Sequence, residues 1–214
     1  QYIVGKVAFR SLDLAVNPNV LIPRPETEVL VEVALEYIRE ISAPKCMDLC
    51  CGSGAIALSI AQECGSATMV GIDISTEALC VARENALRNN LEDRILWECS
   101  DLFSDLNVSC FDVIVSNPPY ICSKDIDQLQ PEVRDFEPHL ALDGGEDGLD
   151  IFRRILVDAV NFLVPGGYLI LEVGDAQADL VNGLITEYSF YELVNISNDL
   201  NGIARIVVIQ YGIK

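Results

Sequence analysis

Hydrophobic positions change their spacing along the chain at about residue 45. Residues 7–10 and 12–16 are short runs with polar turns around them, which predicts two strands. Residues 25–38 repeat apolar side chains every three to four positions after a proline, which predicts a helix. From residue 45 onward, short apolar runs alternate with helical periodicity. That alternation favours an α/β fold with a doubly wound, mainly parallel sheet.

The predicted elements of this second region can be placed by residue range. Strands are predicted at 46–49, 68–72, 94–98, 111–116, 168–173, 191–196 and 203–211. Helices are predicted at 55–64, 75–90, 149–163 and 176–188, the second capped by Ser75 and the third stopped by residues 165–167. No helical pattern separates the last two strands, so we expect an antiparallel hairpin at one edge. We therefore expect a β segment at 1–24 that leads into one domain at 25–214.

Residues 117–148 form the long irregular stretch of this interpretation. A connection of that length in a compact domain is usually functional or disordered. It begins directly after the predicted strand 111–116, and open α/β sheets bind ligands at the carboxyl ends of their strands. A binding site is therefore expected where this stretch starts.

Composition narrows the possible classes of protein. Half of the residues are hydrophobic, yet no run of 18 apolar residues occurs, so a membrane helix is not expected. Residues 1–10 lack the layout of a signal peptide. The eight cysteines form no C-x-x-C pair, which argues against a metal site and indicates reduced thiols in a cytoplasmic protein.

The charge balance is strongly acidic. The chain has 33 acidic and 14 basic residues, for a net charge of −19. Such a surface repels nucleic acid unless a basic patch compensates, and Arg153-Arg154 is the only adjacent basic pair. We expect no stable nucleic-acid partner and consider a basic protein partner suitable. The alternative is that the acidity serves solubility alone.

A glycine-containing loop follows the first strand of the alternating region. It starts at Asp48, contains Gly52 and Gly54, and opens the next helix, so its backbone can approach a ligand closely. Asp73 lies 19 residues beyond Gly54, at the end of the next strand, where a carboxylate can accept hydrogen bonds from ribose hydroxyls. Together they predict a nucleoside-containing cofactor. A plain strand-to-helix turn capped by Asp73 is the alternative.

Two features favour S-adenosylmethionine over a dinucleotide. Asp48 stands where a sulfonium and an amino acid group could be received, and the G-x-G-x-x-G spacing of a dinucleotide fingerprint is absent. The third strand ends near Asp101, a candidate acceptor for the adenine amino group, with Leu102 beside it in the same site. The expected donor is S-adenosylmethionine, which leaves S-adenosylhomocysteine as product.

Residues 117–120 have the sequence of a methyl-acceptor loop for a planar nitrogen. The side-chain carbonyl of Asn117 and the backbone carbonyl of Pro118 can each accept one N–H of an NH2 group. Pro118 and Pro119 restrict φ and stiffen the loop, and Tyr120 can stack on the planar group. An amide nitrogen and an amine nitrogen both remain possible acceptors of the methyl group. A rigid turn or a proline-rich ligand motif is the non-catalytic alternative.

Several motifs together resemble one family. They are I-P-R-P-E-T-E at 22–28, the glycine loop, G-I-D-I-S at 71–75, N-P-P-Y-I at 117–121, F-E-P at 136–138, A-L-D-G-G-E-D-G-L at 141–149, L-E-V-G at 171–174 and D-L-N-G-I-A-R at 199–205. This series resembles the HemK/PrmC family, which methylates the glutamine of the Gly-Gly-Gln tripeptide in class I peptide chain release factors. N-P-P-Y by itself is shared with adenine-amino methyltransferases of DNA, whereas its combination with I-P-R-P-E-T-E is far more specific.

The resemblance implies a seven-stranded methyltransferase sheet with S-adenosylmethionine as the donor. It implies a substrate glutamine held between Asn117, Pro118 and Tyr120, with Pro119 in the same loop. It also favours a role for Arg24 and Glu26 at the active-site mouth, where core-side salt bridges are the alternative. The resemblance further implies a monomer that acts on release factors in translation termination. The family's helical N-terminal domain has no counterpart here, so we expect a catalytic domain separated from it.

Two residues depart from the family pattern, and one more is left open. Cys50 replaces a usual glycine, and we expect it in the cofactor loop with its side chain turned away. His139 stands where arginine is common, and we expect a structural or exposed histidine rather than a base. Glu172 is expected near the same mouth, with either a structural role or a substrate contact. The alternatives for the whole chain are an adenine-amino methyltransferase of DNA or RNA, and a binding module without catalysis.

Overall fold

The computed structural model describes residues 1–104, 106 and 110–212. An antiparallel hairpin of β1 (Lys6–Phe9) and β2 (Leu12–Ala15) precedes helix α1 (Pro25–Ile38). The fully buried Asn85 connects this hairpin to the rest of the molecule. Its side chain accepts from the N–H of Ala15 at 2.6 Å and donates to the carbonyls of Ala15 and Ser53 at 3.1 and 3.0 Å.

Seven strands of the described residues form the central sheet, which confirms the predicted fold class. They are β3 (Lys45–Leu49), β4 (Thr68–Asp73), β5 (Ile95–Cys99), β6 (Phe111–Ser116), β7 (Leu163–Glu172), β8 (Tyr191–Asn198) and β9 (Ala204–Tyr211). The spatial order is β5-β4-β3-β6-β7-β9-β8. Strands β3 to β7 are parallel, while β9 pairs antiparallel with both β7 and β8. The predicted terminal hairpin therefore closes one side of the sheet.

Helices cover both faces of the sheet. Besides α1 they are α2 (Ala55–Glu63), α3 (Thr76–Arg88), α5 (Asp150–Asp158) and α6 (Ala178–Ile185), while the short α4 (Pro131–Arg134) lies in the segment after β6. Alternate residues of a strand point to opposite faces. Val113 and Val115 thus pack in the core beneath α1 and α2, while Ile114 packs in the core beneath α5 and α6. The described residues form a three-layer structure with a large apolar core on each face of the sheet.

The boundary between α5 and β7 differs from the prediction. The helix ends at Asp158, one 3-10 turn follows at Ala159–Asn161, and the strand already begins at Leu163. The strand contains the residues predicted to stop the helix, because it bulges there: Phe111 pairs with Leu163, and the next pairing joins Val113 to Tyr168. A bulge accepts a proline and extra residues that a regular central strand does not.

Two other predictions concern local structure. Ser75 caps α3 as predicted, accepting a hydrogen bond from the N–H of Ala78 at 3.1 Å. The segment 117–148 is not one irregular loop, since 3-10 turns at Ser123–Gln128 and His139–Ala141 flank α4. Among the described residues, no helix combines the length and the apolar character needed to cross a bilayer.

The strand order creates a crevice at the carboxyl edge of the sheet. From β3 the chain continues to β4 on one side, and it later returns to place β6 on the other side. Connections that leave in opposite directions open a gap at such a switch point, and ligands of open α/β sheets bind there. The glycine loop after β3 and the segment after β6 meet at this gap.

Candidate active site

A cavity of about 250 Å³ occupies the crevice. Six of the residues predicted for the cofactor site line it: Cys50, Gly52, Asp73, Asp101, Leu102 and Asn117. Asp48 and Gly54, which were predicted for the same site, do not line it. Pro119 and Asp143 close the cavity from the segment after β6. The ends of four strands therefore converge on one space.

Asp73 organises the glycine loop as well as facing the cavity. Its two carboxylate oxygens accept hydrogen bonds from the N–H of Gly52 at 2.8 Å and of Ser75 at 2.9 Å. Burial raises the pKa of this carboxyl, and the backbone hydrogen bonds oppose the shift. A carboxylate has about four acceptor positions, so both oxygens can still receive hydroxyl donors.

Gly54 has a packing role that the glycine pattern did not reveal. It lies at φ +80° directly before α2, and a Cβ there would meet the ring of Trp97 at 2.7 Å. The glycine lets α2 approach the sheet closely, away from the cavity.

Cys50, by contrast, lines the cavity with a backbone φ of +61°, a region that favours glycine. That angle explains why this position suits the family's usual glycine.

Asp48 lies beneath the loop instead of facing the cavity. It is fully buried, and its Oδ2 accepts from the N–H of Ala57 at 3.0 Å in the first turn of α2. No described residue pairs with its Oδ1. Burial, and after it the negative charge of Asp73, raises the pKa of Asp48 to about 8, and the hydrogen bond from Ala57 opposes the shift only in part. The geometry gives Asp48 the task of holding the start of α2.

The far end of the cavity combines apolar walls with one carboxylate. Ile74 and Leu102 both line it, and they offer flat apolar surface for a planar ring. Asp101 lines it too, and its Oδ1 forms an ion pair with Arg154 at 2.8 Å. An acceptor for an amino group is therefore present, in competition with an exposed arginine.

A second cavity of about 170 Å³ adjoins the first. Its walls include Arg24, Asn117, Pro118 and Tyr120, but not Glu26 or Pro119. Leu21, Asn117 and Ala141 line both cavities, so Asn117 stands at their junction. The arrangement presents one ligand space to each side of a single amide side chain.

Tyr120 contributes its aromatic ring to the second cavity, and its phenol hydroxyl is not suited to act as a base. Burial, followed by the negative charge of Glu172, raises the pKa of its phenol to about 12. The hydroxyl therefore stays protonated at neutral pH. The backbone of Tyr120 is held by Gln177. Nε2 of Gln177 donates one hydrogen bond to the carbonyl of Tyr120 at 2.9 Å and another to the carbonyl of Gly148 at 3.3 Å. Gln177 thus joins the segment after β6 to the start of α6.

Arg24 and Glu137 form an ion pair beside the second cavity. Nη2 of Arg24 contacts both carboxylate oxygens, at 2.6 and 2.7 Å. The Glu137 side chain is 2% exposed and that of Arg24 is 32% exposed. Burial raises the pKa of Glu137, and Arg24 lowers it in opposition.

His139, two residues further on, is exposed, with its Nδ1 3.8 Å from Oδ2 of Asp143.

Sequence reasoning did not identify three of the site's supporting residues. Thr27 lines the first cavity and accepts a hydrogen bond from Nδ2 of Asn117 at 3.1 Å. Gln177 and Asn85 each tie two distant backbone segments together. Thr27 had a signal within the I-P-R-P-E-T-E motif, as a buried polar residue in a first helical turn. The other two carry no local signal.

Comparisons with known proteins show which proteins the chain resembles. The family model described as "Methyltransferase small domain" matches residues 26–132. A release factor glutamine methyltransferase of Gloeobacter violaceus is 45% identical over 97% of this chain and 73% of its own length. One from Geobacter sulfurreducens is 44% identical over 97% and 71%.

Solved structures show the same fold at lower identity. A methyltransferase from Pyrococcus furiosus has a TM-score of 0.69 at 19% identity, over 96% of this chain and 92% of that one. An RNA methyltransferase from Salinibacter ruber, solved with S-adenosyl-L-homocysteine, has a TM-score of 0.58 at 18% identity, over 90% and 95%.

The sheet order and the crevice at its switch point define the class of protein, which is a methyltransferase with the S-adenosylmethionine-dependent fold. Within that class, identity above 40% across nearly the whole sequence decides the family. The chain belongs to the release factor glutamine methyltransferases.

Proposed function

We propose that this chain transfers a methyl group from S-adenosylmethionine to the side-chain amide nitrogen of the glutamine in the Gly-Gly-Gln tripeptide of class I release factors. The observation that carries the proposal is the junction of two cavities at Asn117, in a member of this family. A donor in the first cavity and an acceptor in the second would meet across one side chain. The division into a β segment at 1–24 and a domain at 25–214 stays part of this proposal.

The residues of the first cavity fit S-adenosylmethionine. Asp73 supplies acceptors for the ribose hydroxyls, and Ile74 and Leu102 supply apolar surface for the adenine. Asp101 can accept from the adenine amino group, and Gly52 brings backbone close to the amino acid part. When bound, this cofactor supplies an electrophilic methyl group on a sulfonium. We propose no metal in the reaction and S-adenosylhomocysteine as its product.

The residues of the second cavity suit a primary amide. The lone pair of an amide nitrogen is delocalised into its carbonyl, so the enzyme has to hold the nitrogen in line with the methyl group. Oδ1 of Asn117 and the carbonyl of Pro118 accept its two N–H bonds, and the Tyr120 ring stacks on its plane. These residues would hold the nitrogen while its bond to the methyl carbon forms and the carbon–sulfur bond of the sulfonium breaks, with the bonding electrons going to sulfur and the amide proton to water. Such positioning can contribute on the order of 7–11 kcal/mol at best.

The remaining parts of the proposal follow from charge and chemistry. A net charge of −19 suits a basic protein surface better than a nucleic acid. Arg24 would help shape the mouth of the second cavity, and Glu26, outside both cavities, would act on it through its charge. The eight cysteines are unpaired, as is usual for thiols in the cytoplasm, where release factors act. We propose a cytoplasmic monomer.

Incubation with methyl-labelled S-adenosylmethionine and a full-length class I release factor tests the proposal. Label should appear on the Gly-Gly-Gln glutamine, as located by peptide mass spectrometry, and should vanish with a release factor that carries Gln→Ala there. Asn117→Ala should lower kcat about 100-fold, since loss of alignment alone has effects of that size. Asn195→Ala, an exposed asparagine on β8, is the matched control. Equal labelling of the Gln→Ala release factor, or preferred labelling of duplex DNA, would overturn the proposal.

A further inference from the structure

Glu172 is a buried carboxylate that the proposed reaction does not yet use. It ends β7 at the carboxyl edge of the sheet and is 1% exposed. Its Oε2 has no hydrogen-bond partner among the described residues. A buried carboxyl is costly unless its surroundings compensate it, so its presence at this edge calls for a physical reason. Glu172 lines neither cavity.

The neighbours of Glu172 connect it to the loop that holds the substrate. The hydroxyl of Thr27 and the side-chain amide of Asn117 both act to lower the pKa of its carboxyl, so both groups lie close to it. Nδ2 of Asn117 in turn donates to Oγ1 of Thr27 at 3.1 Å. A hydroxyl can accept one hydrogen bond while it donates another. The three groups can therefore form a chain in which Asn117 donates to Thr27 and Thr27 donates to Glu172.

This series of hydrogen bonds can decide which end of the Asn117 side-chain amide faces the substrate. An ionised carboxylate only accepts hydrogen bonds, so it attracts the NH2 end of Asn117 and repels the carbonyl end. With the NH2 end turned toward Thr27 and Glu172, the carbonyl oxygen remains for the second cavity. That oxygen is the acceptor which an amide N–H of the substrate needs. If Asn117 were flipped, it would present a donor to a donor.

The charged groups around Glu172 act in different directions. Arg205 on β9 favours the ionised carboxylate, while Glu26 on α1 disfavours it. Burial, and after it the charge of Glu172, raises the pKa of Tyr120, which stays protonated. Asp199 forms an ion pair with Arg205 at 3.2 Å and weakens the help that this arginine gives. Burial outweighs these effects and raises the pKa of Glu172 to about 7.

We propose that Glu172 is a positioning residue that orients the amide of Asn117 through the hydroxyl of Thr27. The proposal rests on the proposed function for its chemistry, but the orientation of Asn117 is a property of the protein alone. Glu172 would work as an ionised acceptor. Once protonated, it presents an O–H donor and no longer selects the NH2 end of Asn117.

Kinetics of Glu172→Gln with the full-length release factor test this role. The variant should lower kcat about 10- to 100-fold, as loss of a group behind a contacting residue often does, and leave KM for S-adenosylmethionine within about twofold. In the wild-type protein kcat should fall as the pH drops through about 7, and the variant should lose that acid limb. Glu192→Gln on β8, an exposed glutamate, should leave both kcat and the profile unchanged.

Variants of Thr27 separate positioning from a loss of structure. Thr27→Ser keeps the hydroxyl and should retain most of kcat, whereas Thr27→Val keeps the shape and should lose as much as Glu172→Gln. The double variant Glu172→Gln/Thr27→Val should be no worse than either single variant, because both break one chain. Retained kcat in Glu172→Gln, an unchanged pH profile, or additive losses would each overturn the proposal.

Hydrogen exchange of the Asn117 side-chain amide provides a readout without any acceptor. By NMR of the protein, the Asn117 NH2 protons should exchange about tenfold faster in Glu172→Gln and in Thr27→Val than in the wild type or in Thr27→Ser. Equal exchange in all four proteins would overturn the proposal. If the release factor were not a substrate, this measurement would still decide the role of Glu172, so the two failures are distinguishable.

Discussion

Arg24 and Glu137 are 113 residues apart in sequence and share a two-point ion pair at 2.6 and 2.7 Å. Arg24 directly precedes α1, and Glu137 lies between α4 and the 3-10 turn at His139–Ala141. The pair therefore joins the first part of the chain to the segment after β6. Arg24 also lines the second cavity, so the shape of that cavity depends on the ion pair that holds the segment after β6 in place.

Removing the arginine from this pair should weaken both stability and substrate binding. Arg24→Ala leaves Glu137 buried without its partner. We expect a loss of roughly 1–3 kcal/mol in unfolding free energy, less than for a fully buried pair because Arg24 is a third exposed. KM for the release factor should rise, with little change for S-adenosylmethionine. Urea unfolding and steady-state kinetics measure the two effects.

The double variant Arg24→Ala/Glu137→Gln is the informative comparison. It removes the buried charge, so it should be more stable than Arg24→Ala alone. Arg88→Ala, which breaks an exposed pair with Glu84, should change the unfolding free energy by about 0.5 kcal/mol or less. A double variant less stable than Arg24→Ala would contradict the buried-charge explanation.

Asp73→Asn should weaken binding of S-adenosylmethionine. The asparagine has one acceptor oxygen where Asp73 uses two, so the N–H of Gly52 or of Ser75 loses its partner. An unsatisfied donor costs about 1–3 kcal/mol, so the dissociation constant should rise roughly 10- to 100-fold. Isothermal titration calorimetry measures it, with Asp93→Asn as an exposed control that should bind normally. Unchanged affinity in Asp73→Asn would argue against Asp73 as the organiser of the loop.

Gln177→Ala should impair use of the release factor and spare the cofactor. It frees the carbonyls of Tyr120 and Gly148, so the loop that carries Tyr120 loses an anchor. We expect kcat/KM for the release factor to fall about 10-fold, the lower end of the range for residues behind a site. Binding of S-adenosylmethionine, measured by calorimetry, should stay within a factor of two, since Gln177 does not line that cavity. The exposed Gln62→Ala serves as control, and a parallel loss of cofactor affinity would refute the assignment.

Asp48 should make the ligand-free protein less stable as the pH rises from about 4 to 8. Its folded pKa of about 8 lies above the ordinary aspartate pKa of 3.8, so the folded state binds more protons in this window. Unfolding then releases a proton, and stability falls with increasing pH. Asp48→Asn stays neutral, so its stability advantage over the wild type should grow between pH 5 and pH 8. Urea unfolding at several pH values measures the difference.

Glu172 should add to the same slope, because its pKa of about 7 is also raised. Asp48→Asn therefore removes only part of the pH dependence, and Asp48→Asn/Glu172→Gln should remove more. Asp93→Asn, at an exposed position, should show a constant offset across the range. A constant offset for Asp48→Asn as well would mean that Asp48 is ionised in the folded protein.

Local patterns were sufficient for most of the fold. The alternation of strand and helix after residue 45 predicted the seven-stranded sheet and its antiparallel closing hairpin. Ser75 as an N-cap was also predicted, because a cap depends on neighbours only three residues away. The end of α5 was misplaced, since the bulge in β7 depends on pairing with β6 and leaves no mark in local periodicity.

The site shows the same division between local and distant information. Motif order alone indicated Asp73, Asn117 and Tyr120, because each follows a strand and parallel strands end at a common edge. The same reasoning placed Asp48 and Gly54 beside the cofactor, yet neither lines the cavity. Asp48 accepts a hydrogen bond from the first turn of α2, and Gly54 lets α2 pack closely against Trp97. Sequence position does not tell whether a residue at the end of a strand, or just after it, points into the crevice or away from it.

By itself, the sequence determined the fold class, and it predicted the edge of the sheet where ligands bind and the loop that holds the acceptor. These follow from periodicity and from motifs that contain their own geometry. Only the tertiary structure decided that two cavities meet at Asn117, that Arg24 forms an ion pair with Glu137, and that Thr27 and Glu172 lie close to the side-chain amide of Asn117. Such contacts join residues tens of positions apart, and chain folding brings them together without a repeating local pattern.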